Sequence, residues 1–291
     1  MPATSANLGP GFDCLGLALD LYLRVTCTLG GSGLRIAAEP GVSTGPNNLI
    51  YRAMLATYDA AGEPAPADLA IDARNDIPLS RGLGSSSAAI VAGLLLANVL
   101  LDTPFDRDRL LEIGLPLEGH PDNIAPALFG GLVVAAVADG RPVAQRVPLA
   151  RTPGVGLFIP DQPMPTADAR RVLPDTVPRA DAVFNTGRSS LVVAALATGN
   201  FGLLRAAMED RLHQPYRAAI FPALPALIEA ALSAGAAGAA LSGAGSTVIA
   251  LCEGDPAPVV AALATSAASL GVSGRPVTAR IDQSGAAVLP S

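Results

Sequence analysis

The segment Pro78-Leu79-Ser80-Arg81-Gly82-Leu83-Gly84-Ser85-Ser86-Ser87-Ala88-Ala89 leads directly into an apolar run that ends at Leu101. Three serines followed by residues that are apolar almost all round predict a buried helix over residues 84–101. Glycines ahead of a helix let the backbone adopt positive φ and approach a ligand closely. Because a helix start presents free N–H groups and a partial positive charge, this loop is typical of a phosphate site. An ordinary glycine turn with a serine N-cap would give the same pattern.

Composition and charge limit the classes of protein that this sequence can represent. With 291 residues, 50% of them hydrophobic and 15% charged, the chain can build a globular core. The net charge of −6 argues against nucleic acid as a partner, since that affinity comes mainly from basic residues. All 19 basic residues are arginine. The absence of lysine excludes the GxxxxGK[ST] phosphate loop and Schiff-base chemistry.

Cysteine usage and hydropathy predict a cytoplasmic location. The three cysteines are widely spaced and form no CxxC pattern, which indicates free thiols rather than zinc ligands or disulfides. The N-terminus lacks a basic flank and carries Asp13 and Asp20 within its apolar stretch, so no signal peptide is predicted. The longest apolar run, residues 88–101, is too short to cross a bilayer, and no membrane partner is expected.

Hydrophobic periodicity predicts strands mixed with helices along the whole chain. The predicted strands are 15–29, 34–38, 69–73, 131–137, 143–147, 155–160, 239–241, 247–251 and 277–281. The predicted helices are 48–60, 84–101, 107–118, 182–197, 201–213, 224–234 and 257–270. A pause in the pattern near residue 150 predicts two α+β domains, residues 1–150 and 151–291.

The segment Glu118-Gly119-His120-Pro121-Asp122-Asn123 combines a carboxylate at a helix end with a polar loop. Carboxylate oxygens are ligands that Mg²⁺ prefers, and an Asp beside an Asn can position a hydroxyl for phosphoryl transfer. Glu112, earlier on the same helix, is the alternative metal carboxylate. A capped loop between two helices, with solvated charges, would also produce this pattern.

Two further segments carry glycine and small polar residues. The segment 242–247, Ser-Gly-Ala-Gly-Ser-Thr, lies between two predicted strands, where it is either a tight turn or a second wall of a nucleotide site. Residues 2–13 crowd Gly, Pro, Asn and Asp just before an apolar strand, which predicts a rigid polar loop. Asn7 and Asp13 in this loop are candidates for hydrogen bonds to a small polar substrate.

Together, in this order, the four segments resemble the signatures of the GHMP kinase superfamily, and within it those of the homoserine kinases. Residues 2–13 are similar to the N-terminal signature and residues 119–123 to the His-Pro-Asp-Asn block, while 78–89 and 242–247 match the second and third superfamily motifs. The resemblance covers essentially the whole chain. It implies an α+β, two-domain fold, with an N-terminal domain like domain 2 of ribosomal protein S5 and a ferredoxin-like C-terminal domain, and it implies a homodimer.

The resemblance also implies an activity and roles for individual residues. The activity is transfer of the ATP γ-phosphoryl group to the side-chain hydroxyl of L-homoserine, with Mg²⁺ as cofactor. The implied nucleotide-binding residues are Pro78, Gly82, Leu83, Gly84, Ser85, Ser86, Ser87 and Asn48. The implied metal ligands are Ser86 and Glu118, and the implied catalytic residues are Glu118, Asp122 and Asn123. The implied substrate-binding residues are Asn7, Asp13, His120, Arg170, Arg217 and Gly243.

Within the implied substrate site, Asp13 would pair with an ammonium group. Arg170 and Arg217 would grip a carboxylate, because the guanidinium fork matches its geometry. Without the resemblance, each arginine would be interpreted as part of a surface ion pair. Asp122 and Asn123 would position the hydroxyl; whether a general base is present stays open, since phosphoryl transfer depends mostly on positioning and charge stabilisation.

One departure and three alternatives accompany this hypothesis. Such kinases usually have several strand residues ahead of the N-terminal block, whereas here Met1 precedes it directly. The first alternative is a kinase that acts on mevalonate, a sugar or another hydroxy acid. Mevalonate and sugars have no ammonium group to pair with Asp13. A serine hydrolase is the second, but the loop has no G-x-S-x-G elbow and neither histidine has a triad context. A non-catalytic nucleotide-binding protein is the third, and it would not need both Glu118 and Asp122.

Overall fold

One six-stranded sheet organises the N-terminal half of the computed structural model, which describes residues 1–289. Its strands are β1 (Pro2–Asn7), β2 (Gly11–Leu29), β3 (Leu34–Ala37), β4 (Leu69–Asn75), β5 (Leu132–Ala138) and β6 (Arg141–Val147). The order is β3-β4-β2-β5-β6, and β1 pairs antiparallel with β2. The 19-residue β2 links the whole sheet, because its first part pairs with β1 and β5 and its second part with β4.

The helices of this half are α1 (Leu49–Ala61), α2 (Ser85–Leu100), α3 (Arg107–Glu118) and α4 (Pro121–Phe129). Nine of the sixteen residues of α2 are buried, and its Ile90 belongs to one apolar cluster with Leu110 of α3 and Ile124 of α4. Gly93 lets α1 pass close to α2, since a side chain there would clash with the Ile50 carbonyl oxygen. The buried helix predicted after the glycine-serine loop is therefore confirmed.

The C-terminal half forms an antiparallel four-stranded sheet in the order β10-β7-β9-β8. Its strands are β7 (Gly154–Pro160), β8 (Gly238–Leu241), β9 (Val248–Cys252) and β10 (Gly274–Ala279). Its helices are α5 (Thr166–Arg171), α6 (Arg179–Thr198), α7 (Leu204–Ala207), α8 (Gln214–Arg217), α9 (Leu224–Ser233) and α10 (Ala257–Ser269). This succession of strand, helices, two strands, helix and strand is the ferredoxin-like arrangement, so that prediction is confirmed. Among residues 1–289, no helix has both the length and the apolar character needed to cross a membrane.

Residues near the C-terminal end, after β10, return to the N-terminal half and pair with β2. Leu19 of β2 forms a bridge with Ile281, and the Asp282 N–H donates to the Ala18 carbonyl oxygen at 3.0 Å. One apolar cluster contains residues of both sheets, among them Leu17 and Leu157. The boundary predicted near residue 150 falls between β6 and β7. It stays a prediction, because residues beyond 280 return to the N-terminal half.

The loop predicted over residues 2–13 is wrong for most of its length. Pro2–Asn7 is a fully buried strand and β2 already begins at Gly11, so only residues 8–10 turn between them. The polar Thr4 is buried because its hydroxyl donates to Asn123 Oδ1 at 2.7 Å. Small polar residues are tolerated in this strand since partners far along the chain satisfy them.

The helix predicted over residues 201–213 is also wrong. Residues 201–203 form a 3₁₀ turn and 204–207 a single α-helical turn, after which the chain is irregular up to α8. The carboxylate of Asp210 explains the interruption, because it competes for backbone donors as a helix cap does. It accepts hydrogen bonds from the N–H groups of Leu212 (2.9 Å), His213 (3.0 Å) and Gln214 (2.6 Å).

Candidate active site

A cavity of about 390 Å³ lies between the two halves and collects residues from all four segments. The predicted site residues that line it are Asn7, Asp13, Asn48, Pro78, Gly82, Leu83, Gly84, Ser85, Ser86, Glu118, His120, Asp122, Asn123, Arg170, Arg217 and Gly243. Ser87 is the exception among the predicted residues, because it is fully buried and donates its hydroxyl to Glu118. The fold thus brings segments more than 200 residues apart in sequence to one site.

The glycine-serine loop brings the start of α2 to the cavity. Gly82 and Gly84 have φ values of +71° and +66°, in the left-handed region that favours glycine. A side chain on Gly82 would clash with the Ser242 carbonyl oxygen, so the two glycine-rich loops pack directly against each other. Gly84 is the N-cap of α2 and has no side chain to occupy the first turn, whose N–H groups can bind an anion.

Glu118, the last residue of α3, lies beside the same helix start. Its Oε1 accepts hydrogen bonds from the hydroxyls of Ser86 (2.8 Å) and Ser87 (2.7 Å). Glu112, the alternative metal carboxylate, instead pairs with Arg109 at 2.6 Å and does not line the cavity. The structure therefore brings Glu118 and Ser86 together as oxygen donors of the kind that suit Mg²⁺, and leaves Glu112 outside.

A buried carboxylate lies at the start of α4. Asp122 is 2% exposed and sits in the first helical turn, where the partial positive charge of the helix favours an anion. Its Oδ1 lies 2.5 Å from His120 Nδ1 and accepts a hydrogen bond from Asn123 Nδ2 at 3.3 Å. Burial disfavours charge on His120, but Asp122 and Glu118 outweigh burial and raise the pKa of His120 above its ordinary value. This pair therefore favours an imidazolium beside a carboxylate.

Asp13 and Arg170 form an ion pair on the cavity wall. Arg170 Nη2 lies 2.7 Å from Asp13 Oδ1 and Nη1 lies 3.1 Å from Oδ2, which is bidentate geometry. Asn7 holds this corner, since its Oδ1 accepts from the Asp13 N–H (3.0 Å) and its Nδ2 donates to the Gly243 carbonyl oxygen (2.9 Å). The carboxylate and the guanidinium are therefore presented together to whatever enters the cavity.

The same wall offers a second group of metal-type ligands. Ligand atoms of Asp13, His120 and Asp122 lie within 4.8 Å of one another. Arg170 already pairs with the first carboxylate, and the second is hydrogen-bonded to the imidazole. These pairings make the trio better suited to a charged organic molecule than to a metal ion.

Arg217 is a buried cation that also lines the cavity. It is 2% exposed, and burial together with Arg170 lowers its pKa to about 10, so it stays charged at neutral pH. Its Nε donates to the Ala169 carbonyl oxygen (3.2 Å), and its Nη1 donates to the Gly243 carbonyl oxygen (2.9 Å). A hydrogen bond of 3.0 Å also joins Nη1 to Nδ1 of the fully buried His213.

Acid is expected to destabilise the protein partly through His213. Burial is the main cause that lowers the pKa of His213 to about 4, with Arg217 adding to the effect and Asp210 opposing it. In the unfolded chain His213 takes up a proton near pH 6.5, whereas in the folded protein it does so only near pH 4. The free energy of unfolding therefore keeps this contribution in full above about pH 6.5 and falls by about 3 kcal/mol as the pH drops towards 4. Urea unfolding of wild type and His213→Asn at pH 7, 5.5 and 4.5 measures this, and a shallower slope is expected for the variant. Parallel slopes would contradict the assignment.

Asn48 lines the cavity, but its side chain is used within the fold. It is the N-cap of α1, where its Oδ1 accepts from the N–H groups of Ile50 (2.9 Å) and Tyr51 (3.4 Å). Its Nδ2 donates to the Ser43 carbonyl oxygen at 2.7 Å. The residue therefore shapes the wall near the loop and keeps few polar atoms for a ligand.

Replacing Asn48 with alanine is expected to lower the free energy of unfolding by about 1 kcal/mol, the usual cost of a lost N-cap. Asn48→Asp is the matched control, because Asp is an equally good cap and its charge suits a helix start. Chemical denaturation of both variants, with the KM for nucleotide measured alongside, tests this role. Equal destabilisation by both substitutions would argue against capping.

Sequence reasoning missed three residues that support the site: Thr4, Phe12 and His213. Thr4 had no local signal, since its partner Asn123 lies 119 residues away. Phe12 stacks on the His213 ring with centroids 5.4 Å apart. His213 did have a signal, because it precedes Arg217 by four residues, the spacing that places two side chains on one helical face.

Comparison with known proteins defines the class. Residues 48–131 match the family model of the GHMP kinases N terminal domain, and residues 192–269 match that of the GHMP kinases C terminal domain. These ranges contain the glycine-serine loop, the His-Pro-Asp-Asn block and the second glycine-rich loop. The two domains are those of a GHMP kinase.

Relatives that match over nearly the full length identify the family within this class. The chain is 42% identical over 296 residues to the homoserine kinase of Microchaete diplosiphon, an alignment that covers 99% of this chain and 96% of the relative. It is 41% identical over 293 residues to the homoserine kinase of Desulfitobacterium hafniense, covering 99% of this chain and 98% of the relative. This chain belongs to the homoserine kinase family. The crystal structure of homoserine kinase from Cytophaga hutchinsonii superposes with a TM-score of 0.86 at 28% identity, covering 98% of this chain and 94% of that one.

Proposed function

We propose that this chain transfers the γ-phosphoryl group of ATP to the side-chain hydroxyl of L-homoserine, releasing ADP and O-phospho-L-homoserine for threonine biosynthesis. One observation carries the proposal: a single cavity contains the uncapped start of α2 beside Glu118 and also the ion pair of Asp13 and Arg170. The first part matches a polyphosphate, and the second matches the two charges of an amino acid.

The nucleotide phosphates bind the backbone N–H groups of residues 82–87. α2 is 16 residues long, so its dipole is well developed, and its first turn carries no side-chain cap. Arg81 does not replace the missing lysine, because its guanidinium donates to the carbonyl oxygens of Leu79, Pro160 and Asp161. Positive charge at the phosphates therefore comes from the helix start and from a bound cation.

That cation is Mg²⁺, held by Ser86 Oγ and Glu118. A hydroxyl and a carboxylate that already lie 2.8 Å apart form a hard oxygen donor set, which is what Mg²⁺ prefers. When bound, the ion neutralises charge on the phosphoryl oxygens. Ser87, also bonded to Glu118 at 2.7 Å, keeps this carboxylate oriented towards the helix start.

The acceptor is bound through both of its charged groups. The ammonium of L-homoserine pairs with Asp13, and the carboxylate pairs with Arg170 and Arg217. These new contacts replace the ion pair that Asp13 and Arg170 make with each other. An acceptor with only one charge cannot compensate for breaking that pair, because it leaves one partner alone. Mevalonate and sugars lack the ammonium, and so the pair favours an amino acid.

The acceptor hydroxyl is positioned by Asp122 and Asn123. The Asp122 carboxylate is already fixed by His120 (2.5 Å) and Asn123 (3.3 Å), and Thr4 fixes Asn123 in turn (2.7 Å). A carboxylate held in this way can orient the hydroxyl and stabilise its developing positive charge. Besides orienting the hydroxyl, the Asp122 carboxylate can accept its proton.

A substrate screen tests the proposed function. ADP release by the purified chain is expected to require ATP, Mg²⁺ and L-homoserine together, and O-phospho-L-homoserine should form in equal amount by ³¹P NMR. D-homoserine, mevalonate and galactose are the matched acceptors. Turnover with mevalonate or galactose at the rate of L-homoserine would overturn the proposed acceptor, and ADP release without any acceptor would indicate an ATPase.

Two further features support a cytoplasmic location and a homodimer. Its cysteines, Cys14, Cys27 and Cys252, are free thiols, which suits a reducing cytoplasm. Val183 and Leu191 are 67% and 42% exposed on α6, and such aliphatic residues are available for the contact of a homodimer. Light scattering on the purified chain measures the oligomeric state.

A further inference from the structure

The guanidinium of Arg217 is held so that one of its nitrogen atoms remains unused. Nε and both N–H groups of Nη1 have acceptors: the Ala169 carbonyl oxygen (3.2 Å), the Gly243 carbonyl oxygen (2.9 Å) and His213 Nδ1 (3.0 Å). Within residues 1–289, Nη2 makes no hydrogen bond. The buried unpaired polar side-chain atom in that range is Thr247 Oγ1, so Nη2 is not fully buried, and Arg217 lines the cavity. Two N–H donors therefore remain for a ligand.

His213 can play its part in this arrangement in only one tautomer. Its Nε2 lies 2.7 Å from the Gly9 carbonyl oxygen, which can only accept, so Nε2 must carry the hydrogen. A neutral ring then leaves Nδ1 as an acceptor, and an arginine N–H is the donor that faces it. Burial keeps the ring neutral, because it lowers the pKa of His213 to about 4.

The position of the imidazole is fixed on every side. The Asp210 carboxylate accepts a hydrogen bond from the backbone N–H of His213 at 3.0 Å, and it lies 3.5 Å from Nε2 of the ring. Phe12 stacks on one face of the ring, and the same phenyl ring lies 5.5 Å from the guanidinium carbon of Arg217 and 5.6 Å from that of Arg170. His213 is 0% exposed and does not line the cavity, so any effect on a ligand must pass through Arg217.

We propose that His213 is a positioning residue for acceptor recognition: its Nδ1 holds Nη1 of Arg217 so that Nη2 points to the acceptor's carboxylate. This inference rests on the proposed function, in which Arg217 binds that carboxylate. It adds a residue that touches neither substrate nor nucleotide, and it assigns opposite tasks to the two ring nitrogens. Nδ1 serves acceptor binding, whereas Nε2 serves the fold through Gly9.

Two near-isosteric substitutions separate these tasks. His213→Asn places an amide oxygen near the position of Nδ1 and gives up the bond to Gly9. His213→Gln places an amide N–H near the position of Nε2 and gives up the acceptor for Arg217. We expect His213→Gln to raise the KM for L-homoserine by roughly tenfold to a hundredfold, the range for a lost hydrogen bond to a charged group, with the KM for ATP within twofold. His213→Asn should keep the KM for L-homoserine within about threefold of wild type.

A double-mutant cycle isolates the coupling through Arg217. In an Arg217→Met background, His213→Gln is expected to cause no further rise in the KM for L-homoserine, because the group it positions is gone. The analogue 3-aminopropan-1-ol, which lacks the carboxylate, should respond equally weakly to all the variants. An equal rise in KM for the Asn and Gln variants, or a full further rise in the Arg217→Met background, would overturn the positioning role.

A measurement without turnover separates this inference from the proposed function. The chain has two histidines, so ¹⁵N NMR of the imidazoles, with His120→Asn for assignment, reports His213 alone. The expected result at pH 7.5 is a neutral ring with hydrogen on Nε2 only. An imidazolium or a hydrogen on Nδ1 would overturn the positioning role even in an active enzyme. Failure of wild type to phosphorylate L-homoserine, with the predicted tautomer present and L-homoserine binding weakened in His213→Gln by calorimetry, would overturn the kinase activity alone.

Discussion

Replacing Glu118 with glutamine is expected to lower kcat by about two to three orders of magnitude, the scale for losing one charge-stabilising group in a catalytic site. The carboxylate lies at the uncapped start of α2, where Ser86 and Ser87 donate to it at 2.8 and 2.7 Å. With no lysine in the chain and Arg81 bonded to carbonyl oxygens, few other groups can supply or hold positive charge at the phosphates. Glutamine keeps the shape and one acceptor oxygen but removes the charge that retains Mg²⁺ in the proposed function.

Glu112→Gln is the matched control for this substitution. It changes the same residue type on the same helix, but its carboxylate pairs with Arg109 at 2.6 Å outside the cavity. Its kcat is expected to stay within about twofold of wild type, since an exposed pair contributes at most about 1 kcal/mol. Steady-state kinetics at varied Mg²⁺, with calorimetry of Mg-nucleotide binding, distinguish the two carboxylates. A larger loss of activity and of Mg²⁺ dependence in Glu112→Gln would reverse the assignment.

Local sequence signals predicted the glycine-serine loop and the helix that follows it. Gly82 and Gly84 meet a backbone requirement that glycine satisfies best, and the apolar run of α2 has the length of a buried helix. The end of α3 at Glu118 was equally readable, because Gly119 at φ +93° is a typical C-cap. Signals of this kind act within a few residues, so they appear in the sequence without knowledge of the fold.

Features that depend on distant partners could not be predicted in the same way. Residues 2–7 look like a loop because they are small and polar, and they form a buried strand only because Thr4 and its neighbours meet residues far along the chain. The helical pattern of residues 201–213 is genuine as a pattern, but the Asp210 carboxylate captures the N–H groups that would continue a helix. The fold itself was predicted through the family resemblance rather than through periodicity.

The largest loss of activity after that of Glu118 is expected for Asp122→Asn, with kcat reduced by about 10²- to 10⁴-fold, the range for a group that assists proton transfer or orients a reacting hydroxyl. The substitution is nearly isosteric, and the asparagine amide can still contact His120. The proposed acceptor contacts of Asp13 and Arg217 are not altered by this substitution, so the KM for L-homoserine should change by less than about fivefold. Steady-state kinetics measure both parameters, and a change in KM with kcat preserved would contradict a role at the hydroxyl.

The pH profile of kcat then distinguishes the two tasks open to Asp122. Its partner His120 has a raised pKa, so the imidazolium–carboxylate pair is fully present below that pKa and is lost as the pH rises through it. If Asp122 accepts the hydroxyl proton, the shape of the kcat–pH profile should differ between wild type and Asp122→Asn. If it only orients the hydroxyl, the variant should keep the shape of the wild-type profile at reduced height. His120→Asn is the companion variant: any fall in kcat that wild type shows as the pH rises through the pKa of His120 should be absent from it, because the imidazole that titrates is gone.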